Sequence, residues 1–341
     1  MCYQPLHGFQ IGTHPSGKPK YKILSGDVTW HRCGKDSDTP GLILYDYVEI
    51  PCGKCIQCRL NYSKDWANRC MLEAQQHKHN YFVTLTYDPA HLPTKQLVDS
   101  DSGEIFYHGT LEPTDLTKFI KRLRRHFEYN FDHDNIRFFA CGEYGEQTDR
   151  PHYHAIIFNL PLNDLEELCT TKQGNKLYLS KTIEDVWGMG NISVGEVTWE
   201  TCAYTARYIM KKQKGQTKGL VRLHDDQLAE LETEFTRMSR RPGIAFDYYE
   251  KNKDEIYKND EIIFKGRKGK AEVVKPSKYY DRMFDLDNPE YMKAIKERRR
   301  IGAENALKIK LEKTSLTKKE YRALEERNKE ESIKKLVRQA F

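Results

Sequence analysis

The feature that most constrains the fold is a pair of apolar runs joined by a short polar segment. "NIRFFACGEYG" and "HYHAIIFNL" are rich in the aromatic and β-branched side chains typical of strands, and only "EQTDRP" separates them. So short a connection predicts a β-hairpin. The hairpin would return the exit of the first strand, near Glu143, to the start of the second strand at His152.

The head of the second strand carries two histidines one residue apart. Residues two apart on a strand point to the same face, so His152 and His154 are expected to project together, away from Tyr153. Two imidazoles and one carboxylate suit Mg²⁺ or Mn²⁺, with positions left for phosphate oxygens and water. Glu143 is the predicted carboxylate and Glu146 its rival, while the alternative is a pair of structural histidines at a strand edge.

The segment "YTARYIMKK" has a second chemically suggestive spacing. Tyr204 and Tyr208 are four residues apart, so a helix would place both on one face, with Lys211 beside them. A phenol with its usual pKa of about 10 is a weak nucleophile at neutral pH and needs help from a metal or a nearby ammonium group. The alternative is that both tyrosines are core residues of an amphipathic helix.

The rest of the chain predicts an α+β or α/β fold. Strands are expected at 81–88 and 192–199, and a helix with Thr114 as its N-cap residue is expected to follow residue 113. Further helices are expected over 59–78, at "SKTIEDVW" and from "TCAYTARYIMKKQKG" to near Gly215. If neighbouring strands pair as hairpins, the sheet is largely antiparallel. Residues 1–50 show little periodicity, which predicts loops with one or two short strands.

Three motifs in order resemble those of HUH rolling-circle replication initiators. They are "FVTLTYD", "RPHYHAIIF" and "YTARYIMKK", and the paired tyrosines are similar to those of the microvirus (bacteriophage) replication proteins. The N-terminal "MC", the segment "PCGKCIQCR" and "GEYGEQTDRPHYH" resemble the gokushovirus-type members in particular. The likeness covers roughly residues 50–215. It departs at Tyr153, where these proteins usually have a bulky aliphatic residue.

This resemblance implies a function, a mechanism and a fold. His152 and His154, with Glu143 as third ligand, would hold the metal that orients a scissile phosphate of single-stranded DNA. Tyr204 or Tyr208 would attack it, leaving a 5′-phosphotyrosine and a 3′-OH that primes replication, and Lys211 would assist. The second tyrosine would cleave the regenerated origin and allow ring closure. The implied fold is an RRM-like central antiparallel sheet flanked by helices.

"PCGKCIQCR" supplies Cys52, Cys55 and Cys58, which lie too close together in sequence to pair with one another. A structural zinc ion needs a fourth ligand, for which Cys2 is the first choice. Alternatives are an iron–sulfur cluster or three incidental buried cysteines. In the zinc interpretation, the metal staples the N-terminal arm to the nuclease core. The rival fourth ligands are His31, Cys33 and Cys70.

Charge and texture suggest three regions: an arm over 1–58, the nuclease domain over 59–215, and a basic, partly helical accessory region over 216–341. The last 51 residues hold 16 Lys and Arg against 8 Glu, and basic segments containing aromatic residues suit single-stranded DNA. Examples are "KRLRRHFEY", "SRRPGIAFDYY" and "KPSKYYDR". Beyond origin DNA, host helicase and replication proteins are candidate partners.

The sequence lacks a signal-peptide pattern and a long apolar run, which predicts a protein of the host cytoplasm without a membrane span. The main hypothesis is therefore a metal-dependent DNA endonuclease with strand-joining activity. One alternative is a relaxase or transposase with the same chemistry. Another is a non-catalytic, zinc-containing protein that binds nucleic acid.

Overall fold

The computed structural model describes residues 2–15, 17–98, 103–131, 135–145, 148–171, 174–211, 220–222, 228–266 and 270–334. Contacts divide the chain into two compact units. The first unit comprises Met1–Asn61 and Arg299–Ala340, and the second comprises Tyr62–Arg298. The sequence-based boundaries at residues 58 and 215 remain predictions.

The first unit contains a small sheet and a terminal helix. β1 (Leu6–Thr13) pairs antiparallel with β2 (Pro19–Leu24) and β5 (Val48–Ile50), and β3 (His31–Arg32) pairs with β4 (Ile43–Leu44). Five short strands thus replace the one or two expected here, because most face solvent on one side and carry no regular apolar alternation. Helix α8 (Lys318–Lys334) joins this sheet through the Arg322–Glu49 ion pair.

The second unit is built on a seven-stranded, wholly antiparallel sheet. Its spatial order is β11-β12-β13-β6-β10-β9-β16, so that β10 lies between β6 and β9. The prediction of an α+β fold with a large antiparallel sheet is confirmed. The strands are β6 (Asn80–Thr86), β9 (Arg137–Tyr144), β10 (Pro151–Phe158), β11 (Leu165–Thr170), β12 (Lys176–Ser180), β13 (Ile192–Glu196) and β16 (Phe235–Met238).

Helices cover both faces of this sheet. On one face α2 (Pro113–Phe131) and α3 (Lys181–Trp187) share a core with Tyr153 and alternate residues of β10. On the other, residues of α1 (Ile56–Ala74) and α4 (Trp199–Lys211) share a second core with Ile156 and Phe158. Because successive side chains of a strand point to opposite faces, β10 contributes to both cores, which matches its nearly continuous apolar sequence.

Helix α2 shows what local pattern can and cannot specify. All five residues of its expected apolar stripe are buried: Leu116, Phe119, Ile120, Leu123 and Phe127. Its start differs from expectation, since Pro113 rather than a residue after Thr114 opens the helix and Thr114 is inside it. The Glu112 carboxylate accepts the Thr114 N–H at 3.0 Å, while proline suits the first helical position because its missing N–H is not needed there.

The remaining elements of the second unit extend the second core. Helices α5 (Phe246–Asn259) and α6 (Lys278–Asp287) bury Tyr249 and Tyr280 in it. Helix α7 (Pro289–Leu311) follows. The described hairpins are β7 (Thr94–Val98) with β8 (Ile105–Gly109), β14 (Leu220–Arg222) with β15 (Leu228–Glu230), and β17 (Ile262–Lys265) with β18 (Ala271–Val274).

Among the described helices, none combines the length and apolar character needed to cross a bilayer.

Candidate active site

The two histidines lie at the head of β10, on the face covered by α4. His152 is partly exposed, and His154, two residues further in, is buried. Tyr153 between them points to the opposite face and is fully buried against α3 through Trp187. The predicted division of these three side chains between the two faces is therefore what the strand alternation produces.

Glu143 is brought to the histidines by the hairpin register. It pairs directly with His152 across β9 and β10, two residues from Cys141 opposite His154. Its Oε1 lies 2.7 Å from His152 Nε2 and 2.8 Å from His154 Nε2. One ligand atom from each of the three residues thus falls within 4.8 Å of the other two. The rival carboxylate, Glu146, lies outside the described residues.

Hydrogen bonds on the far side of each ring orient the imidazoles. His152 Nδ1 lies 3.0 Å from the carbonyl oxygen of Arg150. A carbonyl only accepts, so Nδ1 carries the proton and Nε2 presents its lone pair to Glu143. His154 Nδ1 meets the Thr84 hydroxyl at 2.9 Å, and its ring stacks on Phe82 with centroids 5.3 Å apart. Such outer partners fix the tautomer and orientation of metal-binding histidines.

The electrostatics of the site favour a bound cation. Burial by itself would raise the pKa of Glu143, which is 2% exposed, but hydrogen bonds from His152 and His154 lower that pKa to about 2. Burial lowers the pKa of His154, which keeps that ring neutral. The carboxylate is therefore an anion at neutral pH, facing imidazole nitrogens at short range.

The three residues pass a test of fit for a divalent metal. A carboxylate oxygen and two imidazole nitrogens at these distances repel one another unless a proton or a cation lies between them. Moreover, the second oxygen of Glu143, Oε2, is buried and accepts no hydrogen bond from the described part of the chain. Mixed N and O ligands on one wall of a site are compatible with Mg²⁺ or Mn²⁺ and leave other positions open.

Helix α4 places a tyrosine hydroxyl on the same carboxylate. Tyr204 donates a hydrogen bond to Glu143 Oε1 at 3.2 Å, and its ring stands edge-on to His154 with centroids 5.1 Å apart. Tyr208 and Lys211 belong to the same helix, but their side chains lie outside the described residues. The predicted helix end near Gly215 also lies outside them.

A cleft of about 290 Å³ opens next to this group. Phe82, which stacks on His154, forms part of its wall. Sequence reasoning did not identify the cleft or the role of Thr84, because both depend on how β6, β12 and β13 align across the sheet. Its other lining residues include Lys176, Tyr178, Gly195, Thr198 and Thr201.

A second group of metal-binding residue types lies in the first unit. The Sγ atoms of its four cysteines fall within 4.8 Å of one another, which includes the expected fourth member, Cys2. The rivals considered for the fourth position, His31, Cys33 and Cys70, are not part of the group found among the described residues. The other members are Cys52, Cys55 and Cys58.

Comparison with known proteins adds independent information. Residues 80–213 match the family model for replication-associated proteins of the ORF2 type. The chain is 36% identical over 343 residues to replication-associated protein ORF2 of Spiroplasma virus 4, an alignment that covers 99% of this chain and 97% of that protein.

Two further relatives match about half of the chain. Replication-associated protein VP4 of Bdellovibrio phage phiMH2K is 38% identical over 166 residues, or 48% of each chain. Replication-associated protein ORF4 of Chlamydia phage 1 is 33% identical over 167 residues, covering 48% of this chain and 38% of that protein. No solved structure matches the chain significantly.

Proposed function

The chain belongs to the family of phage replication-associated proteins, and from that membership and the geometry of its site we propose that it nicks and rejoins single-stranded DNA. A role in viral DNA replication follows from the family itself. The proposal adds the reaction: site-specific cleavage at the viral origin through a covalent 5′-phosphotyrosine, followed by rejoining, as rolling-circle replication requires. It also takes the host cytoplasm as the place of action and host helicase and replication proteins as partners.

One observation carries the proposal. The hydroxyl of Tyr204 shares a single carboxylate oxygen of Glu143 with the Nε2 atoms of His152 and His154. A structural tyrosine would not need to end at the point where two imidazoles and a carboxylate converge. A nucleophile would, because the phosphorus atom that it attacks must lie next to the metal that neutralises its oxygens.

Glu143, His152 and His154 would hold the metal ion, for which Mg²⁺ or Mn²⁺ is proposed. When bound, such an ion polarises the phosphate and orients it for in-line attack. The protein keeps the three ligands in register through neighbouring strands and prevents rotation of the two rings through Arg150 and Thr84. A site fixed by strands in this way is more rigid than one built on loops.

The covalent step transfers the phosphodiester from DNA to tyrosine. The phenol oxygen of Tyr204 or Tyr208 forms a bond to phosphorus and loses its proton, while the bond to the 3′ oxygen breaks and that oxygen takes up a proton. The products are a 5′-phosphotyrosine and a free 3′-OH. Because one ester replaces another, the reverse attack by a 3′-OH rejoins DNA without ATP. Lys211 is proposed to stabilise the developing phenolate.

The test is formation of a covalent protein–DNA band on a denaturing gel. The full-length protein is incubated with single-stranded DNA from the viral origin and Mn²⁺, beside Tyr204→Phe, Tyr208→Phe, the double variant and His152→Ala. We expect the band to disappear in the double variant and in His152→Ala. Tyr129→Phe is the matched control, because Tyr129 is 88% exposed and belongs to α2.

The outcome also separates the alternatives. A band that persists in the double variant rejects both tyrosines as nucleophiles. A wild-type protein that forms no band on authentic origin DNA, but binds it, is the outcome expected of a non-catalytic nucleic-acid-binding protein. A band that forms on unrelated transfer-origin or transposon-end DNA and not on the viral origin would favour a relaxase or transposase.

A further inference from the structure

The four cysteines of the first unit have the spacing of a tetrahedral metal site. For sulfur atoms about 2.3 Å from a tetrahedral zinc ion, neighbouring sulfurs lie about 3.8 Å apart. The Sγ atoms of Cys2 and Cys55 are 3.8 Å apart, and all four Sγ atoms lie within 4.8 Å of one another. A disulfide would need about 2.05 Å, and all nine cysteines of the chain are free thiols.

The backbone around the cluster is arranged to stabilise negatively charged sulfur. The N–H groups of Lys54 and Cys55 donate to Cys52 Sγ at 3.3 and 3.2 Å, and the N–H of Cys52 donates to Cys2 Sγ at 3.3 Å. Hydrogen bonds to a thiolate favour the charged form that metals bind. Such donors have no evident purpose for cysteines that merely fill a core.

The cluster also joins parts of the chain that are far apart in sequence. Cys2 precedes Cys52 by 50 residues, whereas Cys55 and Cys58 flank the start of α1. Around them pack Tyr3, Ile56 and, from α8, Ile333. This small core contains few large apolar residues, and units of this size commonly depend on a metal or a disulfide for stability.

We propose that Cys2, Cys52, Cys55 and Cys58 bind one structural Zn²⁺ ion as a tetrathiolate. The site is distinct from the Glu143–His152–His154 group, lies in the other unit of the chain and takes no part in DNA cleavage. Its role is to hold the N-terminal segment against the start of α1, because closing a loop of 50 residues restricts the unfolded chain. The proposal does not depend on the nuclease activity proposed above.

The first test is metal content after challenge with a chelator. Full-length protein is purified under reducing conditions, and its zinc is measured by mass spectrometry for wild type and for Cys52→Ser, Cys33→Ser and His152→Ala. Cys33 is the matched control, since it is a buried cysteine of the same unit that is not part of the cluster. We expect about one zinc ion per chain in all except Cys52→Ser, which retains less than about a tenth of that.

Two results of this test would overturn the proposal. One is wild-type protein without zinc, or with zinc that His152→Ala rather than Cys52→Ser removes. The other is a coloured protein with acid-labile sulfide, which would identify an iron–sulfur cluster instead.

A second test uses only wild-type protein, so that it does not depend on the folding of a variant. Co²⁺ replaces zinc and should give the intense visible absorption of a tetrahedral thiolate complex, and a weak octahedral spectrum would contradict the assignment. Alkylation is then mapped by mass spectrometry, with exposed Cys169 as internal reference. We expect metal to protect the four cysteines and chelator to expose Cys2, Cys52 and Cys58. Protection that chelator does not change would reject the metal.

Discussion

The hydroxyl of Tyr204 donates to Oε1 of Glu143 at 3.2 Å, which joins the helix carrying the proposed nucleophile to the strand carrying a proposed metal ligand. That oxygen already faces both imidazoles of the site. A change at Glu143 therefore affects metal binding and nucleophile alignment together, and the two effects can be separated by experiment.

Glu143→Gln should weaken Mn²⁺ binding by more than about 100-fold, because it removes the only anionic ligand while keeping the shape of the side chain. The measurement is Mn²⁺ titration followed by electron paramagnetic resonance. Glu166→Gln, on the exposed strand β11, removes the same charge elsewhere and should leave the affinity unchanged. Equal affinity of Glu143→Gln and wild type would exclude Glu143 as a ligand.

Thr84→Val should weaken Mn²⁺ binding about 10- to 100-fold, the usual effect of removing an outer partner of a metal-binding histidine. Valine has nearly the same volume but cannot hydrogen-bond to His154 Nδ1. Thr86→Val is the control on the same strand, since its hydroxyl donates to the Asn191 carbonyl instead. If both variants bind Mn²⁺ like wild type, the Thr84 contact does not tune the metal.

Tyr153→Phe should lower the free energy of unfolding by about 1–3 kcal/mol and leave Mn²⁺ affinity unchanged. The buried Tyr153 hydroxyl accepts the Glu112 N–H and donates to the Glu112 carbonyl, both at 3.0 Å, and lies 2.7 Å from the Tyr87 hydroxyl. Phenylalanine leaves these groups without that partner on the face opposite the histidines. Urea unfolding measures the first effect, and a changed Mn²⁺ affinity would mean that the two faces are coupled.

Arg137→Met should destabilise the second unit by about 3–5 kcal/mol, because it leaves the carboxylate of Glu73 buried without its ion-pair partner. Glu73 is 1% exposed and also accepts the Ala245 N–H. Replacing both partners, as Glu73→Gln with Arg137→Met, should recover part of the loss. Urea unfolding of the two single variants and the double variant completes the cycle, and additive losses would show that the pair is not coupled.

The same carboxylate predicts a pH dependence of stability. Burial would raise the pKa of Glu73, but His77, the Ala245 N–H and Arg137 lower it below its usual value. The unfolded state then binds protons more tightly than the folded state. The stabilisation is therefore present above the unfolded pKa of about 4.3 and is lost as pH falls through the folded pKa.

Glu73→Gln has no proton to bind at this position, so that its unfolding free energy should fall less than that of wild type between pH 7 and pH 4. Urea unfolding at several pH values measures the difference. Parallel pH profiles for the two proteins would contradict the prediction.

Local pattern was sufficient for much of the fold and of the site. The apolar stripe of α2 has a period of 3.6 residues, and the common face of His152 and His154 follows from a period of two, so both could be predicted from neighbouring residues alone. The approach of Glu143 could also be predicted, because a short hairpin connection leaves the second strand few places to go.

What could not be predicted depends on distant contacts. Thr84 reaches His154 only because β6 and β10 align in one particular register, which no local pattern specifies. Tyr249 and Tyr280 were expected in segments that contact DNA, yet both are buried because α5 and α6 pack into the second core. Likewise, Arg122 and Arg124 on α2 donate to backbone carbonyls rather than lying free on a solvated helix face.

The hairpin register that pairs Glu143 with His152 also pairs Phe139 with Ile156 in the core. A slip of one residue would turn the ligands and the core side chains to the wrong faces at the same time. A nascent or damaged chain therefore cannot present this constellation without having completed its sheet. For a protein proposed to break DNA inside a living cell, this coupling acts as a built-in safeguard: reactivity arrives only with the finished fold and disappears with it.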